Sequence, residues 1–176
     1  LAVNLYQIVV ELIDLRSFSN LWYWIMLAVM WSSASHWVIG VPFDMVLRAR
    51  RQGGDLQHDL EIVARVQAGR LIYIAETSGI LMVAFLCFAL TTLGLLSVVY
   101  GMEFAQAVSL LVLPMVALAG LSLRTARLIA ADDATGEALH HRLSRHRLAT
   151  QLLGMVSIFV TSMFGMYQNL HIGALG

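Results

Sequence analysis

The sequence predicts an all-α, polytopic membrane protein with four transmembrane helices, cytoplasmic helical extensions and an N-terminal amphipathic helix. Of its 176 residues, 59% are hydrophobic and 12% are charged, whereas a soluble globular domain is about half apolar and about a quarter charged. The mean hydropathy is +0.77, and four continuous apolar stretches are each long enough to cross a hydrocarbon core. Continuous rather than alternating apolar runs exclude a β-barrel. The composition also excludes a disordered chain, a coiled coil and a nucleic-acid-binding protein.

The boundaries follow from the alternation of apolar and polar sequence. In chain order we predict an interfacial helix at 1–18, spans at 19–43, 71–102, 104–123 and 149–170, and polar segments at 44–70 and 124–148. The helix of the first span is expected to continue to Arg51 and to end at Gly53–Gly54, because paired glycines interrupt helices. A second helix then runs directly into the second span. The third span is expected to extend to about Ala131 before a turn leads into the last helix.

The arginines predict the orientation in the membrane. Ten of the eleven basic residues, all arginine, lie in the two polar segments, and cytoplasmic loops carry an excess of such residues. We therefore expect the polar segments to be cytoplasmic and both termini to lie on the other side of the membrane. A basic cytoplasmic surface is expected to contact lipid headgroups or, alternatively, a partner protein. Its residues are Arg48, Arg50, Arg51, Arg142, Arg145 and Arg147.

Small and polar residues at four-residue spacing mark the expected contacts between helices. Helices in lipid associate through close packing and buried polar contacts, which small residues permit. The predicted stripe in the first span runs through Ala28, Ser32, His36 and Gly40, and the stripe in the fourth span through Ser157, Thr161, Gly165 and Asn169. Each stripe is expected to face another helix.

Two ionisable side chains lie inside the predicted spans. His36 is about two turns from the cytoplasmic end of the first span, and Glu76 is about one turn inside the second. Since their depths agree, we expect them to pair. A charge within the membrane is a candidate functional site, so the pair is either a proton relay or polar ligand site, or a hydrogen-bonded clasp that fixes helix register.

His36 is also the candidate ligand for a cofactor. Ser32, one turn earlier, leaves room for a flat macrocycle, so a chlorin or haem held by this single histidine is an alternative to a protein without cofactor. A bis-histidine haem is not expected, because no second histidine lies at a similar depth. Cys87 is the single cysteine, which excludes disulfides within the chain and Cys-ligated zinc. No metal site is expected.

Four stretches resemble a family of small integral membrane proteins from purple alphaproteobacteria. They are FSNLWYW at 18–24, WSSASHWVIGVPFDMVLRARRQGG at 31–54, HRLSRHRLATQ at 141–151 and SIFVTSMFGMYQNL at 157–170. Members of that family are sometimes labelled as a component of the SufBCD complex, which assembles iron–sulfur clusters. The resemblance implies an integral protein of a bacterial inner membrane, associated with photosynthetic or respiratory membranes. Combined with the arginine distribution, this location makes both termini periplasmic. The resemblance assigns no catalytic residue.

No catalytic motif supports an enzyme: the sequence has no Walker loop, nucleophile elbow or HExxH helix. We therefore expect a non-catalytic accessory, structural or assembly subunit of a larger membrane complex, photosynthetic or respiratory. A small transporter subunit or proton-coupled carrier that uses His36 and Glu76 is the first alternative, and a pigment- or haem-binding subunit is the second. The expected partners are the lipid bilayer and other membrane-protein subunits, not nucleic acid.

Overall fold

The protein is almost entirely helical. The computed structural model describes residue 18 and residues 21–173, the last three as helical backbone only. In chain order it contains α1 (Leu21–His36), β1 (Trp37–Val38), β2 (Val41–Pro42), α2 (Phe43–Gln52), α3 (Gly54–Gly94), α4 (Glu103–Ala131) and α5 (Gly136–Gly173). A π-helical turn, Leu95–Val99, extends α3. The predicted interfacial helix at 1–18 lies outside the described residues, apart from Phe18.

Within the part of the chain that the structure describes, three helices are long and apolar enough to cross a membrane. They are Gly54–Val99, Glu103–Ala131 and Gly136–Leu170. α1 has 16 residues and is therefore about 24 Å long, less than the hydrocarbon thickness of about 30 Å. The helical fold and the membrane-compatible length of three helices agree with the sequence prediction.

A short hairpin interrupts the first predicted span, so the continuous helix expected from residue 19 to Arg51 is wrong. Trp37 pairs with Pro42, and Val38 pairs with Val41. Ile39 and Gly40 at the tip both have positive φ angles, 54° and 78°, as the central residues of a type I′ hairpin turn do. β-Branched residues on both sides of a glycine favour this hairpin over a continuing helix.

The predicted helix breaks at Gly53–Gly54 and after Ala131 agree with the structure. α2 ends at Gln52 and α3 begins at Gly54, because Gly53 adopts a positive φ of 62° at the break. α3 then runs without interruption from polar into apolar sequence, and its buried side in the polar part consists of Leu60, Ala64 and Ala68. α4 ends at Ala131, as the sequence predicts.

α1 lies alongside the apolar halves of α4 and α5. The Phe18 N–H donates to Glu103 Oε1 at 2.9 Å, and the Tyr23 hydroxyl donates to the Ala107 carbonyl at 3.3 Å. Because both residue numbers rise together, α1 runs parallel to α4. Two glycines of α5 lie against aromatic rings near the two ends of this contact. Gly165 lies against Phe18, and Gly154 lies against Trp31 of α1. α1 is thus antiparallel to α5.

The main buried cluster lies in the arginine-rich part of the chain, which we call the headpiece (residues 37–70 and 124–148). The hairpin, α2, the start of α3, the end of α4 and the start of α5 all contribute to it. Its buried members are Val38, Ile39, Val41, Val46, Ala49, Leu60, Ala64, Ala68, Ala126, Ile129, Leu139 and Leu143. The polar segments are therefore parts of a packed structure rather than connecting loops.

Candidate functional site

A polar network fixes the start of α5 against α3 in the headpiece. Glu61 Oε1 accepts hydrogen bonds from Gln57 Nε2 at 2.7 Å and from the Gly136 N–H at 2.8 Å. The hydrogen bond from Gln57, followed by the one from Gly136, lowers the pKa of the Glu61 carboxyl. Gln57 Oε1 in turn accepts from His140 Nε2 at 2.7 Å. A carboxylate at a helix N-terminus satisfies an otherwise unpaired N–H and opposes the positive end of the helix dipole.

Elsewhere in the headpiece, α4 and α5 line an open cleft of about 600 Å³. Ten residues line the arginine cleft, as we call it: Leu121, Arg124, Thr125, Leu128, Ala138, His141, Arg142, Arg145, His146 and Ala149. Its volume lies within the range of about 300–1,000 Å³ that is typical of small-molecule sites. Because the lining residues end at Leu121 and Ala149, the cleft lies where the polar sequence of both helices meets their apolar sequence.

Three guanidinium groups give the arginine cleft its charge. Arg142 forms an ion pair with Asp132, whereas Arg124 and Arg145 form no ion pair with any residue that the structure describes. Both side chains are exposed, and they come from helices on opposite sides of the cleft. An anion between them would relieve the repulsion between these positive charges.

The floor of the cleft is a buried pair of polar side chains that adds no positive charge. Thr125 Oγ1 lies 2.9 Å from the Leu121 carbonyl oxygen and 3.0 Å from His146 Nδ1. The threonine hydroxyl has one proton, so when it donates to Leu121, the His146 Nδ1–H donates to Thr125. Burial lowers the pKa of His146, which lies outside the apolar stretches, and favours the neutral imidazole. Neutral His146 therefore adds nothing to the charge that the three arginines supply.

The predicted basic surface separates into three parts in the structure. Arg142 and Arg145 line the cleft. Arg147 lies over the ring of Phe43, with its guanidinium carbon 3.7 Å from the ring centroid, which is a cation–π contact. The remaining three arginines lie on α2: Arg48 pairs with Asp44 at 2.7 Å, and Arg50 and Arg51 are exposed.

The arginine cleft offers anion binding rather than metal binding. Arginine donates hydrogen bonds and cannot accept them, and no cluster of three His, Cys, Asp or Glu side chains suited to a metal ion occurs in the part of the chain that the structure describes. A bound anion is thus the chemistry that the geometry supports.

No protein-family model, curated protein or solved structure matches the chain.

The structure does not bring His36 and Glu76 together. Both side chains are exposed, and no hydrogen bond or ion pair joins them among the contacts of residues 21–170. His36 is the last residue of α1, and its ring meets Trp37 edge to face at a centroid distance of 5.8 Å. Proton relay, clasp and single-histidine cofactor site remain predictions from the sequence, without a contact that supports them.

The predicted packing stripes differ in burial between the two helices. Ser157, Thr161 and Gly165 of α5 are buried, and Asn169 is exposed. In the predicted stripe of the first span, Ala28, Ser32 and His36 are exposed, and Gly40 lies in the hairpin turn. The buried side of α1 consists instead of Tyr23, Leu27 and Trp31. Where one helix contributes large rings, small residues are needed only on the helix that faces it. The sequence prediction placed small residues on both helices.

Proposed function

We propose that this chain is a non-catalytic accessory or assembly subunit of a larger complex in a bacterial inner membrane. One observation carries the proposal. The most apolar 18-residue stretch of α3 has no buried residue, although α3 continues directly from the packed headpiece. No residue of α3 from 69 to 94 is buried. We call one side of this part the free face of α3, defined by Tyr73, Glu76, Ile80, Val83 and Cys87, which lie along one side at helical spacing. Their side chains are all exposed.

Glu76 distinguishes a protein contact from a lipid contact on the free face. Lipid acyl chains cover apolar side chains at no cost, but a carboxylate inside a span costs about 3 kcal/mol when unpaired. Glu76 has no hydrogen bond or ion pair to another residue that the structure describes, and it points away from the buried side of α3. We propose that a transmembrane helix of another subunit covers this face and presents an arginine, lysine or histidine to Glu76.

The proposed topology has four crossings, of which α1 is a short one of about 24 Å, with the headpiece in the cytoplasm and both termini in the periplasm. Its support is the position of α1, which contacts Ala107 of α4 and Gly154 of α5 and thus lies at the depth of two helices that are long enough to span. The arginine content of the headpiece supports the orientation. The resemblance to purple-bacterial membrane proteins favours a photosynthetic or respiratory complex.

Cysteine labelling tests this orientation. In a Cys87→Ser background, Asp59→Cys lies on the headpiece and Tyr100→Cys lies at the opposite end of α3, both at exposed positions. A membrane-impermeant maleimide added to intact spheroplasts is expected to label Tyr100→Cys and to spare Asp59→Cys until the membrane is opened. The reverse pattern contradicts the orientation, and equal labelling contradicts a crossing between the two sites.

Purification from native membranes tests the subunit proposal. The tagged chain, extracted in a mild detergent, is expected to retain a stoichiometric membrane-protein partner. Glu76→Leu removes the charge on the free face and is expected to release this partner. Leu81→Ala, at an exposed position of the same helix on a different side, is the matched control and is expected to retain it. A chain that migrates alone at every detergent concentration contradicts the proposal, and equal retention by both variants contradicts the assigned face.

A further inference from the structure

We propose that the arginine cleft binds the phosphate group of an anionic phospholipid. Arg124 of α4 and Arg145 of α5 supply guanidinium groups without a carboxylate partner among the described residues, and Arg142 retains donors beyond its pair with Asp132. Planar guanidinium groups match the oxygen atoms of phosphate in a bidentate geometry. Three of them at one cleft are therefore suited to a phosphate diester.

The apolar lining indicates a lipid rather than a soluble phosphate. Leu121 and Ala149 form the end of the cleft that faces the apolar sequence. Beyond Ala149, the side of α5 that carries Arg145 continues with Leu152 and Val156, which are 50% and 60% exposed. An acyl chain lying on these side chains places its headgroup at the arginines. Inorganic phosphate uses only the polar end of such a site.

The depth of the cleft agrees with this ligand. It lies where α4 and α5 pass from apolar to charged sequence, which is the level of the phospholipid headgroups. Basic pockets between transmembrane helices on the cytoplasmic side are suited to anionic headgroups, which the membrane supplies at high local concentration. A site between two helices of one chain requires no partner subunit, so it is independent of the proposed contact on the free face of α3.

The test uses the purified full chain in detergent micelles and measures bound lipid by native mass spectrometry. The probes are dioctanoyl phosphatidylglycerol, dioctanoyl phosphatidylcholine and inorganic phosphate. The wild-type chain is expected to bind phosphatidylglycerol at least tenfold more tightly than phosphatidylcholine, and millimolar inorganic phosphate is expected not to displace the lipid. Displacement by inorganic phosphate, or equal affinity for the two lipids, overturns the assignment to an anionic lipid.

Two pairs of substitutions locate the site. Arg124→Gln with Arg145→Gln is expected to weaken phosphatidylglycerol binding at least tenfold. Arg50→Gln with Arg51→Gln removes the same charge from exposed positions on α2 and is expected to change the affinity less than twofold. Equal losses in the two pairs show attraction by net charge alone and overturn the site.

A third variant tests the site if the Arg124→Gln, Arg145→Gln double variant does not fold. Ala138→Phe adds a large side chain to the cleft without changing the charge. Ala138 is exposed and is not a member of the headpiece core. The variant is expected to lower phosphatidylglycerol binding at least tenfold, with unchanged circular dichroism. Wild-type affinity in this variant shows that the lipid binds elsewhere and overturns the proposal.

Discussion

Gly154 packs against the indole of Trp31, and replacing this glycine with alanine tests the contact between α5 and α1. A Cβ at this position lies 2.8 Å from Trp31 Cε3 and 3.2 Å from Cδ2, closer than carbon atoms pack. The indole cannot move away freely, because Trp31 is 4% exposed and packs with Leu27 and Leu118. Overpacking of this kind costs about 1–3 kcal/mol, while alanine gains about 1 kcal/mol over glycine in a helix. We expect Gly154→Ala to lower the free energy of unfolding by about 1 kcal/mol.

The matched control is Gly120→Ala in the apolar part of α4, where an added Cβ has no neighbouring atom within 4 Å. It receives the same gain in helix propensity without the clash, so the difference between the two variants is the steric cost alone, about 1–3 kcal/mol. The assay is reversible unfolding in mixed micelles of a mild detergent and dodecyl sulfate. Equal or greater stability of Gly154→Ala relative to Gly120→Ala refutes the α1–α5 contact.

A double-mutant cycle assigns the clash to the indole. Phe at position 31 lacks Cε3 and Cζ3 of the indole, the atoms that lie 2.8 and 3.3 Å from the added Cβ. In a Trp31→Phe background, Gly154→Ala is therefore expected to cost at least about 1 kcal/mol less than in the wild type, within the range of couplings between residues in contact. An unchanged cost shows that the destabilisation arises from another neighbour.

Three further predictions concern the headpiece, each measured by unfolding in the same micelles. Gly40→Ala is expected to cost about 1 kcal/mol, since its φ is 78° and the added Cβ lies 3.1 Å from the Gln67 amide; unchanged stability contradicts the hairpin turn. Glu61→Ala is expected to cost about 1 kcal/mol at pH 7, with the exposed Asp59→Ala as control. The pKa of the Glu61 carboxyl is lower in the folded state than in the unfolded state. The stability that this carboxylate adds is therefore present above about pH 4.5 and is lost as the pH falls below that value. A difference in stability between Glu61→Ala and wild type that does not change with pH contradicts the network. Burial also lowers the pKa of His146, so the stability of the wild type is expected to fall as the pH drops below about 6.5. His146→Gln is expected to remove this loss of stability. The same loss in His146→Gln contradicts a buried neutral imidazole.

The sequence predicts helix boundaries well where a local signal marks the end of a helix. α2 ends and α3 begins at the Gly53–Gly54 pair, and α4 ends at Ala131 where the polar turn begins. These breaks depend on backbone preferences of a few neighbouring residues, which the sequence displays directly. The hairpin at residues 37–42 has a weaker signal, because its side chains are as apolar as those of a membrane helix. The Val-Ile-Gly-Val-Pro run contains the turn glycine that indicates it.

The arginine cleft shows what one-dimensional patterns leave out. The sequence predicts a basic surface that includes Arg142 and Arg145, but it does not indicate that Arg124 faces them from another helix. That relation depends on the antiparallel packing of α4 and α5, and Arg124 lies about twenty residues from Arg145 along the chain. The predicted pairing of His36 and Glu76 rested on their equal depth in the membrane. Equal depth does not place two side chains on facing sides of their helices, and both side chains are exposed.

Different forces hold the two parts of the chain. In the headpiece, Leu60, Leu139 and Leu143 are fully buried, and removal of apolar surface from water stabilises this core. In the proposed membrane location of the apolar half, lipid is as apolar as the side chains, so close packing and polar contacts would hold the helices. Leu139 and Leu143 share two turns of α5 with Arg142 and Arg145, and because successive helical residues point in fixed relative directions, burying the leucines directs the arginines towards α4. The headpiece core therefore sets the geometry of the arginine cleft.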